Sequence, residues 1–199
     1  METKRQIRTA LPRIPMPAEK KQLREQLKQK RNSLSPVQAQ QLSEEICRNI
    51  ESHPWFLQAE TVCLYYPLEK EVNLLPLAQK AWSMGKKTAF PRVAGKEMQF
   101  FQADSFAEFQ EGSFHVMEPV GNTQIYQRDA LILVPGLGFD SQCARIGYGG
   151  GYYDRYFAAC PHRHKLGAAF GVQLVENLYP KEHDVRMDGV VSEQGVYCK

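Results

Sequence analysis

Residues 131–157, LILVPGLGFDSQCARIGYGGGYYDRYF, constrain the fold more than any other stretch of the chain. Leu131 to Val134 is a short, wholly apolar run, and an aromatic-rich helical pattern begins at Tyr152. Between them stand six of the chain's fourteen glycines. The apolar run reads as a buried strand, and a glycine-rich turn before a helix leaves backbone N–H groups bare at the helix N-terminus. Such groups converge on an anion while the helix dipole adds partial positive charge, so the segment points to phosphate or nucleotide binding. Glycine also supplies left-handed turns cheaply. Against that simpler explanation stands the entropy lost in ordering six glycines within Gly136 to Gly151.

The segment is not a P-loop, because no Lys-Ser/Thr pair follows its last glycine, and Gly147 to Gly151 spell G-x-G-G-G rather than G-x-G-x-x-G. Asp154 falls in the first turn of the following helix. A carboxylate there either complements the helix dipole or holds Mg²⁺ beside a bound phosphate chain. Asp188, in RMDGVV before a strand, is either a turn residue or a second Mg²⁺ ligand. Arg145 is either a fixed cation for charge on a transferring phosphoryl group or a surface ion pair.

The rest of the chain alternates between helical and strand patterns. Helices are predicted over 18–31, 36 to about 53, 73–84 and 152–159, with Ser35-Pro36 an N-cap and first-turn proline. Strands are predicted over 61–66, 87–91, 97–102, 130–134, 165–170 and 189–191, with 196–198 an edge; 104–112 is ambiguous. This alternation implies a single three-layer α/β/α domain over 18–199 with a mostly parallel sheet, preceded by a flexible extension over 1–17. In such sheets ligands bind beyond the C-terminal ends of strands, where Glu71 and the Gly loop are both predicted.

Charge and composition narrow the partners. No stretch approaches the roughly 18 apolar residues of a membrane span, and no apolar leader is present. Five scattered cysteines without C-x-x-C fit a reduced, cytoplasmic compartment. Residues 1–31 carry ten Lys/Arg against three Asp/Glu. That basic arm is either a solvated helix with a few phosphate contacts or an RNA-binding element, and it has no aromatic residue on which bases could stack. The histidines lack metal-ligand spacing and no G-x-S-x-G elbow exists, so neither histidine-centred catalysis nor a serine hydrolase is expected.

Together the motifs resemble the 5-formyltetrahydrofolate cyclo-ligase family. The resemblance is carried by PGLGFD (135–140) and RIGYGGGYYDR (145–155), with K-K-x-L-R (20–24), Glu71 after the first strand, Pro91-Arg92, M-E-P (117–119) and H-D-V-R-M-D (183–188) in the same order. It covers all but the N-terminal extension. The resemblance implies an ATP- and Mg²⁺-dependent enzyme, expected to be a monomer, that converts 5-formyltetrahydrofolate to 5,10-methenyltetrahydrofolate with release of ADP and phosphate. It implies ATP on Lys20, Arg24, Arg145, Ile146, Gly147, Tyr148, Gly149, Gly150, Gly151, Tyr152 and Tyr153. It implies the formyl-folate on Tyr66, Glu71 and residues 148–152, and Mg²⁺ on Asp154 and Asp188. Arg145 and Tyr152 become the catalytic candidates. Some members carry basic residues where this chain has Tyr148 and Gly150, so phosphate here would rest more on backbone N–H groups and Arg145. The alternative from another class is a non-catalytic RNA- or nucleotide-binding module on the same scaffold; neither a membrane nor a nucleic acid is the expected partner.

Overall fold

The structure is a computed structural model that describes residues 11–13, 20–126, 129–160, 164–181 and 184–198. Its centre is a seven-stranded sheet built from apolar runs too short to be anything but strands. The strands are β1 (Thr61–Cys63), β2 (Lys87–Ala94), β3 (Glu97–Gln102), β6 (Leu131–Val134), β9 (His164–Ala168), β11 (Gly189–Ser192) and β12 (Gly195–Cys198), in the order β12-β11-β9-β6-β1-β2-β3. The five inner strands are parallel, and the two edge strands, β3 and β12, are antiparallel to their neighbours.

Strand side chains alternate between two cores, as a pleated sheet covered on both faces requires. Val62, Leu131, Leu133, Leu166 and Val191 face helices α2 (Pro36–Glu51), α3 (Pro54–Gln58) and α4 (Leu75–Ser83), which contribute Ile46, Ile50, Phe56 and Leu77. Cys63, Ile132, Val134 and Val190 face α5 (Tyr152–Ala159) through Tyr156 and Phe157. The expected α/β/α layering is therefore present. Ser35 caps α2 in a complete capping box with Gln38, followed by Pro36. Instead of running on to His53, α2 stops at Glu51, because His53 caps a separate short helix starting at Pro54.

Two further regions differ from the expectation. The ambiguous stretch 104–112 holds a 3₁₀ turn and then β4 (Phe109–Glu111), which pairs with β5 (Met117–Pro119), the M-E-P motif. Buried Glu118 of that motif accepts from Val93 N–H at 3.1 Å, and Arg92 donates to Pro119 O and Gly121 O at 3.1 Å each, so both motifs fasten this hairpin to β2. Finally, the turn expected between β6 and α5 contains two more strands. These are β7 (Gly138–Asp140) and β8 (Arg145–Ile146), which join β10 (Leu174–Val175) in a small second sheet.

Helix α1 (Lys20–Asn32) packs on this small sheet: Leu23 and Leu27 are buried with Leu137, Ile146, Val175 and Leu178. Of the expected extension 1–17, only 11–13 lie among the described residues, where Glu176 N–H donates to Pro12 O at 3.0 Å.

The two sheets meet at Phe139, a fully buried ring that presses on glycines. A Cβ on Gly167, in the middle of β9, would lie 2.4 Å from Phe139 Cε1. Gly167→Ala is therefore expected to destabilise the protein by roughly 1–3 kcal/mol through overpacking. Denaturant melts measure this directly, and an unchanged midpoint would show that the contact gives way freely.

Candidate active site

The C-terminal edge of the sheet is assembled from four pieces: α1, the loop after β1, the Gly loop and the start of α5. Lys20, Arg24, Leu27 and Arg31 are spaced four, three and four residues apart, so they form one stripe along α1. Leu27 buries that stripe against the small sheet, and the cations beside it are brought to the site. Lys20 Nζ pairs with Asp184 Oδ2, Arg24 Nε donates to Gly147 O at 3.0 Å, and Arg31 Nη1 donates to the Tyr148 hydroxyl.

The Gly loop leaves β8 at Gly147 and enters α5 at Tyr152. Gly149 (φ 106°) and Gly151 (φ 66°) are left-handed, which is where glycine is required conformationally. Others make room for side chains. A Cβ on Gly147 would lie 2.7 Å from Arg145 Nη1, one on Gly138 2.8 Å from Leu27 Cδ1, and one on Gly150 2.8 Å from the Tyr152 ring. The glycine count thus reflects close packing as well as bare backbone. The N-cap, Gly151, offers no side chain to the first N–H groups of α5, so they stand open at the helix N-terminus.

Arg145 is not a surface ion pair. Its side chain is 6% exposed. Nη1 donates to Pro135 O and Nη2 to Asp154 Oδ2, both at 3.2 Å, and its guanidinium carbon sits 5.3 Å from the Tyr153 ring centroid. Arg145 Nε and the Tyr153 hydroxyl are buried without a hydrogen-bond partner among the described residues. Two unsatisfied donors beneath a loop of bare N–H groups suit a polar, anionic ligand. Asp154 thereby gains a function besides the two expected of it, as counter-ion to Arg145. Asp188 sits beside β9, its Oδ2 accepting from Lys165 N–H at 2.8 Å and from Lys165 Nζ at 2.9 Å. Among the described residues no group of three or more His, Cys, Asp or Glu could cage a metal. His162 and His183 lie outside the described residues.

Glu71 anchors the opposite wall. It is 9% exposed. Its Oε2 accepts from Leu68 N–H at 3.0 Å and its Oε1 from the Tyr148 hydroxyl at 2.7 Å. Burial raises the carboxyl above its ordinary range, while the Leu68 N–H, the Tyr148 O–H and the Arg31 charge pull it back. Burial and the nearby Glu71 push the Tyr148 and Tyr153 phenols up, so both remain neutral donors. Tyr66 is half-buried with its ring 5.3 Å from Phe109. The Tyr152 hydroxyl donates to Gly95 O at 3.2 Å, and the ring lies between Arg155, 5.0 Å away, and the exposed Phe114, 5.9 Å away. Ile146 is core, buried with α1.

The structure therefore joins Arg31, Tyr148 and Glu71 in one hydrogen-bonded chain and Arg145, Tyr153 and Asp154 in a second cluster, while Arg24 holds the Gly loop at Gly147 O. Lys20 and Asp188 reach instead to Asp184 and Lys165. Arg31 was not singled out by sequence; its place on the Lys20–Arg24–Leu27 stripe was the available signal. Chemically, the arrangement can receive phosphate on the loop and N–H donors on Glu71. Burial raises the Cys63 thiol to about 12, which removes it as a nucleophile.

Comparison with known proteins finds relatives along most of the chain. The model of the 5-formyltetrahydrofolate cyclo-ligase family matches residues 16–193. The chain is 26% identical over 179 residues to the 5-formyltetrahydrofolate cyclo-ligase of Escherichia coli, covering 86% of this chain and 98% of that protein. It is 26% identical over 192 residues to the enzyme of that name from Mus musculus, covering 87% and 93%. The NMR structure of Aquifex aeolicus 5,10-methenyltetrahydrofolate synthetase superposes with a TM-score of 0.82 at 34% identity, covering 90% of this chain and 92% of that one.

Proposed function

The chain belongs to the 5-formyltetrahydrofolate cyclo-ligase family, and we infer from its geometry that the Gly loop and Glu71 hold that reaction's two substrates side by side. The enzyme converts 5-formyltetrahydrofolate to 5,10-methenyltetrahydrofolate in an ATP-dependent ligation. One observation carries the division of the site. The Tyr148 hydroxyl, on the phosphate-type loop, is 2.7 Å from Glu71, a buried carboxylate suited to the N–H donors of a pterin.

The chemistry demands such a site. The oxygen of an N-formyl group is a poor leaving group. When it attacks the γ-phosphorus of ATP, the bond to ADP breaks and the formyl carbon becomes an electrophilic iminium phosphate. N10 then adds to that carbon, loses its proton, and phosphate departs with the formyl oxygen, leaving the methenyl cation. The protein has to align the formyl oxygen with the γ-phosphorus and stabilise charge spreading over the phosphoryl oxygens. Gly-loop N–H groups and Arg145 supply that stabilisation, and Arg24 extends the cationic wall. Glu71 orients the pterin, with Tyr66 and Tyr152 offering aromatic surface.

Asp154 and Asp188 have the hard oxygen donors Mg²⁺ prefers, and each engages a cation through Oδ2. In this proposal both hold Mg²⁺, which neutralises phosphate charge when bound. Asp154→Asn is expected to raise the Mg²⁺ concentration for half-maximal rate on the order of tenfold while the chain stays folded. An unchanged metal titration would leave Asp154 only as the partner of Arg145.

One chain supplies both halves of the site, which fits a monomer. Cys47, Cys63 and Cys160 are free thiols, which fits a reduced, cytoplasmic setting. Among the described residues no helix is long and apolar enough to cross a membrane. Lys20, Arg24 and Arg31 are engaged within the chain, which counts against RNA binding by the basic arm. Purified protein with Mg²⁺, ATP and 5-formyltetrahydrofolate is expected to develop the near-ultraviolet absorbance of the methenyl product. Well-folded protein without that signal would refute the assignment.

A further inference from the structure

We propose that Arg31 is a positioning residue for the folate half of the site, acting through Tyr148 on Glu71. The proposal rests on the reading that Glu71 receives the pterin.

Arg31 lies in the last turn of α1 and is 5% exposed, an unusual place for a guanidinium without a purpose. Its Nη1 donates to the Tyr148 hydroxyl, which is also 2.7 Å from Glu71 Oε1. Arginine has no acceptor and a phenol has one proton. With Glu71 ionised, the Tyr148 proton therefore points at the carboxylate, and the phenol oxygen receives Arg31. The direction of both bonds is fixed, so the chain guanidinium to phenol to carboxylate transmits position and charge from α1 to the loop after β1. Tyr148 itself is 47% exposed, so the anchored phenol lies between the buried pair and the open side of the site.

The groups that face Glu71 come from every element packed around it. Tyr65 comes from the segment after β1, Tyr148 from the Gly loop, Tyr153 from α5 and Arg31 from α1. Three are neutral phenols and Arg31 is the cation. A buried carboxylate facing only phenols takes up a proton more readily and then loses an acceptor for pterin N–H groups. Arg31 opposes that uptake. The cation stands on α1 and the loop contributes the phenol that connects it.

The test is steady-state kinetics with each substrate varied in turn, across about pH 5–8, on Arg31→Leu, Arg31→Lys, Tyr148→Phe and Glu71→Gln. Arg31→Leu is expected to raise KM for 5-formyltetrahydrofolate about tenfold with KM for ATP changed less than about twofold. The acid limb of kcat/KM for the folate is expected to move to higher pH, because the cation that favours ionised Glu71 is gone. Tyr148→Phe should move the limb the same way, and Arg31→Lys should restore most of it. A merely structural Arg31 would lower Tm and leave the limb in place, and that result overturns the proposal. If Arg31→Leu does not fold, Tyr148→Phe decides: an unmoved limb overturns it equally. Glu71→Gln separates the two readings. Unchanged folate KM in that variant refutes the role of Glu71 itself, whereas raised KM there with wild-type behaviour in Arg31→Leu and Tyr148→Phe refutes the role of Arg31 alone.

Discussion

Arg145→Ala is expected to lower kcat by about 10²–10³-fold, the loss typical when a preorganised donor to developing charge is removed. The guanidinium is buried at the base of the Gly loop, and its Nε has no hydrogen-bond partner among the described residues. It faces no reorganisation when charge spreads over a phosphoryl group above it. Its burial adds a second consequence that a surface cation would not have. The side chain fills the space that Gly147 leaves open and holds Asp154. Removing it should also destabilise the fold by roughly 1–3 kcal/mol. The two effects separate in Arg145→Lys, which keeps the charge but cannot reach Pro135 O and Asp154 with a planar fork. That variant should recover much of the stability and little of the rate. Rapid-quench measurement of ADP formation, alongside thermal melts, distinguishes them; a folded Arg145→Ala with near-normal kcat would refute the charge-stabilising role.

Glu71→Gln carries the second large effect. A site built to accept N–H donors loses strongly when its acceptor changes, so KM for 5-formyltetrahydrofolate should rise by about 10–100-fold while KM for ATP stays close to normal. The amide cannot reproduce the native pattern, because both carboxylate oxygens accept from donors and an NH₂ group must oppose one of them. The stability effect has a definite sign. Burial raises the Glu71 carboxyl above its ordinary value of 4.5 in the folded protein. Its contribution to stability is therefore complete below that ordinary value and is lost as pH rises through the raised one. Glu71→Gln should flatten that part of the stability–pH curve. Equal slopes for the two proteins would show that Glu71 does not titrate in that window.

The sequence disclosed the parts of this molecule whose signal is local. Leu131 to Val134 reads as a buried strand because four apolar residues admit little else, and α5 occupies the predicted 152–159. The smaller sheet was hidden because β7, β8 and β10 have three, two and two residues, too few to show a period. They exist as strands because α1 packs against them and Phe139 of β7 anchors them to β9, which is tertiary information. The Gly loop reads in sequence as a phosphate site, but its glycine count overstates that signal: Gly138 and Gly147 are small because Leu27 and Arg145 need the space.

Arg31 shows the same limit from the other side. In sequence it belongs to a basic arm and counts toward a charged surface. In the fold, Leu27 rotates the stripe inward and buries Arg31 beneath Tyr148. Asp154 was legible as an acidic residue in a first helical turn and Asp188 as one just before a strand, and their cationic partners, Arg145 and Lys165, were not. Ion pairs between residues distant in sequence leave no spacing to read.

The central claim is that ATP and the formyl oxygen meet between the Gly loop and Glu71. Oxygen-18 placed in the formyl group of 5-formyltetrahydrofolate follows that meeting directly. Turnover with Mg²⁺ and unlabelled ATP should deliver the label into inorganic phosphate, one atom for each methenyl product formed. Methenyl product accompanied by unlabelled phosphate would contradict phosphorylation of the formyl oxygen, and with it the assignment of the two walls to adjoining substrates.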